Sequence, residues 1–254
     1  MPMLFRHFFT AIHYLTRLPV PRNSVSSSEQ LGKATAFFPL VGVIVGCGAA
    51  LVFVLLQRVL PLSTSVLGAI IFAAFITNGL HEDAFADVFD GFGGGWTKER
   101  ILEIMRDSSI GVYGALALIF LILGKFNFLS SLPEGQIWRW LIIGHTAARW
   151  AILPLCAWLP YARPEGQGKL VANQVGVVEI VVGTATLLLV FLLLSWQAAL
   201  AAFLVAALVI LLSGLYFRTR LQGFTGDCLG AANQLTEVAL YLTAVILLRF
   251  NLLR

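Results

Sequence analysis

The chain has 254 residues, of which 59% are apolar or aromatic and only 12% are charged, and its formal net charge is +4. A soluble domain has roughly 45–50% apolar and about 25% charged residues, so this composition excludes a soluble globule. The basic residues are scattered along the chain, which argues against nucleic acid as a partner. We expect an integral membrane protein: an all-α, polytopic helical bundle that forms one domain over residues 1–254 in a lipid bilayer.

Residues 1–22 place apolar side chains at helical spacing, with arginines between them. Phe5 and Ile12 belong to the apolar set, and Arg6 and Arg17 interrupt it. No small-residue cleavage site follows, as a signal peptide would require. The segment therefore predicts an amphipathic helix at the membrane interface.

After this segment come seven apolar stretches, each of which is long enough to span, or nearly span, the hydrocarbon core of a bilayer. They cover residues 35–57, 64–80, 111–129, 137–159, 175–195, 197–217 and 236–252. The second and the last are short, so we expect about seven spans, within a range of six to eight. Cytoplasmic loops are enriched in Lys and Arg. That asymmetry favours a cytoplasmic N-terminus, with three polar segments on the same side: 81–109, 161–174 and 218–235.

The acidic residues are concentrated in one segment. Seven of the 13 Asp and Glu residues lie between residues 82 and 107. On a helix, Asp83, Asp87 and Asp90 share one narrow face, where their charges repel unless a cation lies between them. Hard oxygen ligands of this kind suit Mg²⁺. The pattern predicts a magnesium site, and its alternative is a solvated polar helix face.

The residues on either side of these carboxylates offer further candidates. His81 is either a base or a hydrogen-bonded structural residue. Residues 91–95 predict a glycine-rich loop in which Gly93 and Gly94 expose backbone N–H groups to a phosphate. The alternative for this loop is a flexible connection between helices.

Further candidates lie downstream. Thr97 is predicted to cap a helix over residues 98–107, which ends with Arg106 and Asp107 at the interface. Arg149 falls inside an apolar span, where ionisable residues are rare and functional by default, although it could also extend to the interface.

Two other inner loops carry polar groups as well. Arg163 and Lys169 lie in one of them and Asp227 lies in the other. A tight glycine-containing turn would explain either loop without a function.

Taken together, these motifs resemble the cobalamin synthase family, the adenosylcobinamide-GDP ribazoletransferases. The matching segments, in chain order, are FFTAIHYLTRLPVP, AFFPLVGVIVG, HEDAFADVFDGFGGG, EIMRDSSIGVYG, the triplet at 148–150, YARPEGQG and FTGDCLGA. The chain departs from the usual family pattern at Ala84, where Gly is common, and at Glu82, where a Leu often precedes the Asp. Neither departure removes a carboxylate.

The resemblance implies a Mg²⁺-dependent transferase that completes the nucleotide loop of a corrinoid. A hydroxyl of α-ribazole or its 5′-phosphate attacks the cobinamide-proximal phosphorus of adenosylcobinamide-GDP, and GMP leaves. It also implies a location in the cytoplasmic (inner) membrane of a bacterium, with the active site on the cytoplasmic side.

This chemistry gives each candidate residue a hypothetical role. Phosphoryl transfer needs charge neutralisation and in-line positioning more than covalent help. The metal would be held by Asp83, Asp87 and Asp90. The base or further metal ligands would be His81, Asp107 and Asp227. The phosphates would be held by Arg106, Arg149, Arg163 and Lys169, with Gly93 and Gly94.

Three other functions stay open on the residues alone. DVFDG at 87–91 matches the opening of the CDP-alcohol phosphotransferase motif, but the rest of that motif is absent. An intramembrane prenyltransferase would need Asn in place of Gly79. A cation or proton transporter would line a transmembrane pathway with acids, whereas here they gather on one side. A homo-oligomer also stays open.

Overall fold

The computed structural model describes residues 2–21, 31–163 and 175–253, and in these ranges the regular elements are helices. The described helices are α1 (Met3–Leu15), α2 (Leu31–Ala34), α3 (Phe38–Leu56), α4 (Leu62–Ile76), α5 (Leu80–Gly94), α6 (Lys98–Ile104), α7 (Val112–Ser130), α8 (Glu134–Trp150), α9 (Ile152–Trp158), α10 (Val177–Phe191), α11 (Trp196–Leu221) and α12 (Gly226–Arg249). A 3₁₀ turn, Thr35–Phe37, joins α2 to α3. The all-α prediction is confirmed.

The protein is a multi-pass membrane protein. Among the described residues, five helical segments are long and apolar enough to cross a bilayer: Leu31–Leu56, Val112–Ser130, Glu134–Trp158, Trp196–Leu221 and Gly226–Arg249. The pair α4 and α5 passes the same test only together, bent by 86°, which would make six. The stretch predicted at 175–195 forms α10, whose 15 residues fall short of a full span. The described residues therefore give five spans, or six with the bent pair, against the predicted six to eight.

The bend between α4 and α5 sets the direction of the acidic helix. Asn78 and Gly79 both adopt left-handed backbone conformations, with φ of 59° and 65°. A left-handed residue can end a helix. Glycine adopts this conformation without steric strain, and asparagine adopts it at a small energetic cost. Because α5 leaves α4 at a steep angle, its first turn is brought beside the first turns of α12.

Helix α8 is the centre of the bundle, since nearly all of its second half is buried. It packs along α3 and α12, and α12 packs in turn along α5. A Cβ on Gly230 of α12 would lie 2.4 Å from the Cβ of Ala84, so α5 and α12 approach closely at this point. This contact places the acidic segment against the start of the last helix.

The N-terminal segment is helical as predicted, over α1. Its Ala11, Ile12 and Leu15 are buried, whereas Met3 and Phe5 at its start are exposed. Helix α1 therefore packs its second half against the bundle.

Candidate active site

One cavity joins three of the polar segments that the sequence places on the same side. Its volume is about 210 Å³, and its polar lining comes from the start of α5, the segment after α9 and the start of α12, with Tyr14 from the end of α1. Its remaining walls are mostly apolar and aromatic. The polar side chains are Tyr14, His81, Asp83, Tyr161, Arg163 and Asp227.

Arg163 and Asp227 form the best defined contact in this cavity. Nη2 of Arg163 lies 2.9 Å from Oδ2 of Asp227. Thr225 donates its hydroxyl to the same oxygen at 3.3 Å and also caps α12, accepting a hydrogen bond from the backbone of Cys228. Within the described ranges, Nε of Arg163 has no hydrogen-bond partner. The Arg163 guanidinium therefore has its Nε–H group left to donate a hydrogen bond to a second anion.

A short backbone pairing holds Arg163 in place. Tyr161 and Phe224 form an isolated parallel bridge, in which Ala162 donates to the carbonyl of Phe224 at 2.8 Å. Phe224 in turn donates to Pro160 at 3.0 Å. Burial raises the pKa of the Tyr161 phenol, while the charge of Arg163 opposes this shift.

Three carboxylates interact through their charges at this end of the molecule. Asp83 and Asp227 both line the cavity, and the charges of both act on the carboxylate of Asp87. Arg163 is the cation that acts on Asp87 together with them. In the described part of the chain, no group of three or more His, Cys, Asp or Glu side chains is already arranged as a metal site. The three carboxylates are neighbours whose side chains would have to converge to bind an ion.

His81 lies in the wall of the same cavity. It is 3% exposed, and in the described chain its Nε2 has no hydrogen-bond partner. A buried imidazole nitrogen without a protein partner beside an open cavity is available to a ligand.

Asp90 does not line the cavity, although it shares a helix face with the other two acids and its charge acts on Asp87. Its carboxylate accepts hydrogen bonds from the backbone of Gly111 at 2.7 Å and of Gly114 at 2.8 Å. A Cβ at either glycine would approach the same carboxylate to within 2.4 Å. Asp90 therefore caps the start of α7 and joins it to α5, and these bonds occupy its oxygens.

The prediction of a loop at residues 91–95 is wrong, because helix α5 continues through Gly94. The glycines serve close packing between helices instead. A Cβ on Gly93 would lie 2.5 Å from the ring of Tyr113, and one on Gly94 would lie 3.2 Å from Ile104. Neither glycine lines the cavity.

Helix α6 begins as predicted, since Thr97 caps it by accepting from the backbone of Arg100, but it ends at Ile104. Asp107 follows in an exposed turn, where Ser109 donates its hydroxyl and its N–H to Oδ1 at 2.6 Å and 2.9 Å. These hydrogen bonds lower the pKa of Asp107. Asp107 does not line the cavity. Arg106 is exposed, and its charge acts on Tyr161 at the cavity.

Arg149 is buried at 1% exposure and takes part in an internal network. Its Nη1 lies 2.9 Å from Nδ1 of His145 and 3.8 Å from Oε2 of Glu237. The structure thus gives this guanidinium protein partners, and it does not line the cavity. Lys169 lies outside the described residues.

The sequence reasoning missed two members of that network. Nζ of Lys125 lies 2.9 Å from Oε1 of Glu237 and 3.9 Å from Oε1 of Glu82. We call the buried residues Lys125, Arg149 and Glu237, together with the partly exposed Glu82, the buried charge cluster. The missed signal was a single ionisable residue within each of two apolar stretches, which marks a functional or paired position in a membrane protein.

Comparison with known proteins decides the family. The family model described as CobS, cobalamin-5-phosphate synthase, matches residues 7–245. This chain belongs to that family. Adenosylcobinamide-GDP ribazoletransferase of Shewanella sp. (strain W3-18-1) is 39% identical over 247 residues, which are 94% of this chain and 93% of that protein. The protein of the same description from Shewanella frigidimarina (strain NCIMB 400) is 40% identical over 241 residues, 92% of each chain. No solved structure matches this chain significantly.

Family membership confirms the resemblance that the motifs indicated. Of the segments that carry the resemblance, the described parts of YARPEGQG and FTGDCLGA meet at the cavity through Arg163 and Asp227. The start of HEDAFADVFDGFGGG joins them there through His81 and Asp83. In contrast, the segment EIMRDSSIGVYG contains Gly111 and Gly114, whose backbone N–H groups donate hydrogen bonds to the Asp90 carboxylate.

Proposed function

We propose that this protein is an adenosylcobinamide-GDP ribazoletransferase whose reaction takes place in the cavity between α5 and α12. The observation that supports it most is the Arg163–Asp227 ion pair beside Asp83 in a chain of this family. A cation and carboxylates at one cavity are the groups that phosphoryl transfer requires.

In the reaction, a hydroxyl oxygen of α-ribazole or its 5′-phosphate forms a bond to the cobinamide-proximal phosphorus of adenosylcobinamide-GDP. The bond between that phosphorus and the oxygen that leaves with GMP breaks. The hydroxyl proton needs an acceptor, and the unpartnered Nε2 of His81 supports this role for His81.

The phosphates need cations near the cavity. Nε of Arg163 has no partner among the described residues, and Arg106 is exposed and its charge acts on Tyr161. An arginine fork binds phosphate oxygens through two parallel hydrogen bonds. We assign the phosphate contacts to Arg163 and Arg106, and we leave Arg149 to its partners in the buried charge cluster.

Asp83, Asp87 and Asp227 fit a magnesium ion by their chemistry. They are hard oxygen donors, and their mutual repulsion has only Arg163 to offset it among the charges that act on Asp87. Bound there, Mg²⁺ would supply neutralisation of the charge that develops on the phosphate oxygens. Asp90 is left out of this set because backbone donors occupy its carboxylate.

The apolar half of the cavity suits a planar base. Tyr14, Phe38 and Tyr161 line it together with Ile152. Aromatic walls of this kind bury heteroaromatic rings, and the benzimidazole of α-ribazole is such a ring. Helix α1 thus contributes Tyr14 directly to the site.

The distribution of Lys and Arg supports a location in the inner membrane of a bacterium, with the cavity on the cytoplasmic side. Both substrates would then reach the site from the cytoplasm. A membrane-impermeant maleimide tests this orientation on a cysteine introduced at the exposed position Trp96, just beyond the C-terminal end of α5, in a variant whose exposed Cys47 is replaced by alanine. Labelling only in inverted vesicles is expected, and labelling of intact cells would contradict the orientation.

The purified protein in detergent or nanodiscs tests the activity itself. It is incubated with adenosylcobinamide-GDP, α-ribazole and Mg²⁺, and GMP and the corrinoid product are measured by chromatography. GMP formation that requires all three additions is expected. Ion flux in proteoliposomes without GMP release would favour the transporter alternative.

A further inference from the structure

The buried charge cluster joins four helices, and the charges of Lys125, Arg149 and Glu237 act on His81 in the cavity wall. Glu82 comes from α5, Lys125 from α7, Arg149 from α8 and Glu237 from α12. Two carboxylates face two cations, so the cluster is balanced in charge. Gln234 accepts a further hydrogen bond from Lys125, and Tyr241 donates to Glu237 at 3.2 Å.

Glu82 connects this cluster to the cavity through its place in the first turn of α5. His81 and Asp83, its neighbours on either side, line the cavity. Glu82 lies 3.9 Å from Lys125, and the charge of Arg149 also interacts with it. Charges that are shielded from water attract each other strongly over such distances. The attraction therefore resists rotation of the turn that carries His81 and Asp83.

This turn begins at a sharp bend in the backbone. It follows the left-handed residues Asn78 and Gly79, at a bend of 86°. In the described chain, Gly79 has no side-chain cap hydrogen bond to the start of α5. A helix start without a side-chain cap frays more readily.

We infer that Glu82 and Lys125 are positioning residues, which hold the first turn of α5 so that His81 and Asp83 face the substrates. The inference rests on the proposed function for its catalytic consequence. Neither side chain lines the cavity. When Glu82 and Lys125 are neutralised together, Glu237 keeps Arg149 at 3.8 Å and His145 at 3.2 Å, so the remaining charges stay balanced.

This balance separates a positioning role from a purely structural one. Lys125→Met alone leaves the buried Glu237 and the partly exposed Glu82 with one cation, and we expect a large loss of thermal stability. The double variant Lys125→Met/Glu82→Gln restores the balance, and we expect most of that stability to return. Its kcat should nevertheless stay about tenfold or more below that of the wild type, with KM for α-ribazole little changed, because small misplacements of reacting groups are costly.

A second ion pair provides the matched control. Nζ of Lys33 lies 3.1 Å from Oε1 of Glu179, and neither residue lines the cavity. We expect Lys33→Met/Glu179→Gln to keep the kcat of the wild type. A fall as large as in the first double variant would show that loss of any ion pair slows the enzyme, and it would overturn the inference.

Hydrogen exchange gives a readout that does not depend on activity. Mass spectrometry should show faster amide exchange at residues 80–87 in Lys125→Met/Glu82→Gln, with the rest of the bundle unchanged. Wild-type kcat and wild-type exchange in this variant would refute the positioning role. If the wild type itself releases no GMP, the proposed function fails, and the exchange rates still decide whether the cluster holds this turn.

Discussion

Nη2 of Arg163 lies 2.9 Å from Oδ2 of Asp227, although 64 residues separate the two in the chain. Because each side chain enters the cavity from a different polar segment, this ion pair joins the segment that follows α9 to the start of α12. It also leaves Nε of Arg163 without a partner among the described residues, beside Asp83 and His81.

Replacement of Arg163 by lysine should weaken binding of adenosylcobinamide-GDP. Lysine keeps the charge but cannot donate two parallel hydrogen bonds to a phosphate, so KM for this substrate should rise about tenfold. Initial rates of GMP release measure this effect. Arg100→Lys is the control, because Arg100 forms an exposed pair with Glu103 away from the cavity. An equal KM in both variants would contradict a phosphate contact at Arg163.

The contact between Asp90 and the start of α7 predicts a specific packing defect. In Gly114→Ala the added methyl group would overlap the Asp90 carboxylate, so the free energy of unfolding should fall by about 1–3 kcal/mol. Thermal unfolding in detergent measures the change. Gly124→Ala on the same helix is the control, since its Cβ would meet only ordinary contacts at 3.4 Å or more. Similar stability of the two variants would contradict the Asp90 contact.

Removal of the Glu237 charge should be strongly destabilising. In Glu237→Gln, Lys125 and Arg149 stay buried with only Glu82 to compensate them, and loss of one partner from a buried ion pair costs about 3–5 kcal/mol. The exposed pair of Arg100 and Glu103 offers the comparison. Glu103→Gln should change stability by at most about 1 kcal/mol. Equal midpoints of thermal unfolding would show that the buried charge cluster contributes little.

Chelation of divalent cations should abolish GMP release. The carboxylates of Asp83, Asp87 and Asp227 suit a small hard cation, so Mg²⁺ should restore activity. Ca²⁺ should restore it poorly, because it prefers longer bonds and more ligands. Titration of the chelated enzyme with each ion gives the answer. Full activity in excess chelator would contradict a metal requirement.

Much of the site could be predicted from the sequence because topology limits where polar segments meet. The asymmetry of Lys and Arg placed the segments at 81–109, 161–174 and 218–235 on one side, and Asp83, Arg163 and Asp227 do line one cavity. Family motifs then indicated the chemistry.

The role of Asp90 could not be read from the helical wheel. Asp83 and Asp90 share a face, but seven residues of helix separate them by about 10 Å along the axis. The angular position of a residue around the helix axis does not show which neighbouring element its side chain contacts. The Asp90 carboxylate accepts hydrogen bonds from the backbone of Gly111 and Gly114. Likewise, the sequence predicts a loop at Gly93 and Gly94, because glycine is unfavourable in the interior of a helix. In the structure both residues lie in α5, where their packing against Tyr113 and Ile104 outweighs that propensity.

One comparison of two acidic residues tests the location of the active site most directly. Asp83 is exposed and lines the cavity, whereas Asp107 is exposed outside it, so both Asp→Asn variants should fold. We predict that Asp83→Asn lowers kcat for GMP release about 100-fold, because it removes charge from the phosphate site, while Asp107→Asn changes it less than about threefold. Unchanged activity in Asp83→Asn, or a larger loss in Asp107→Asn, would contradict an active site in this cavity.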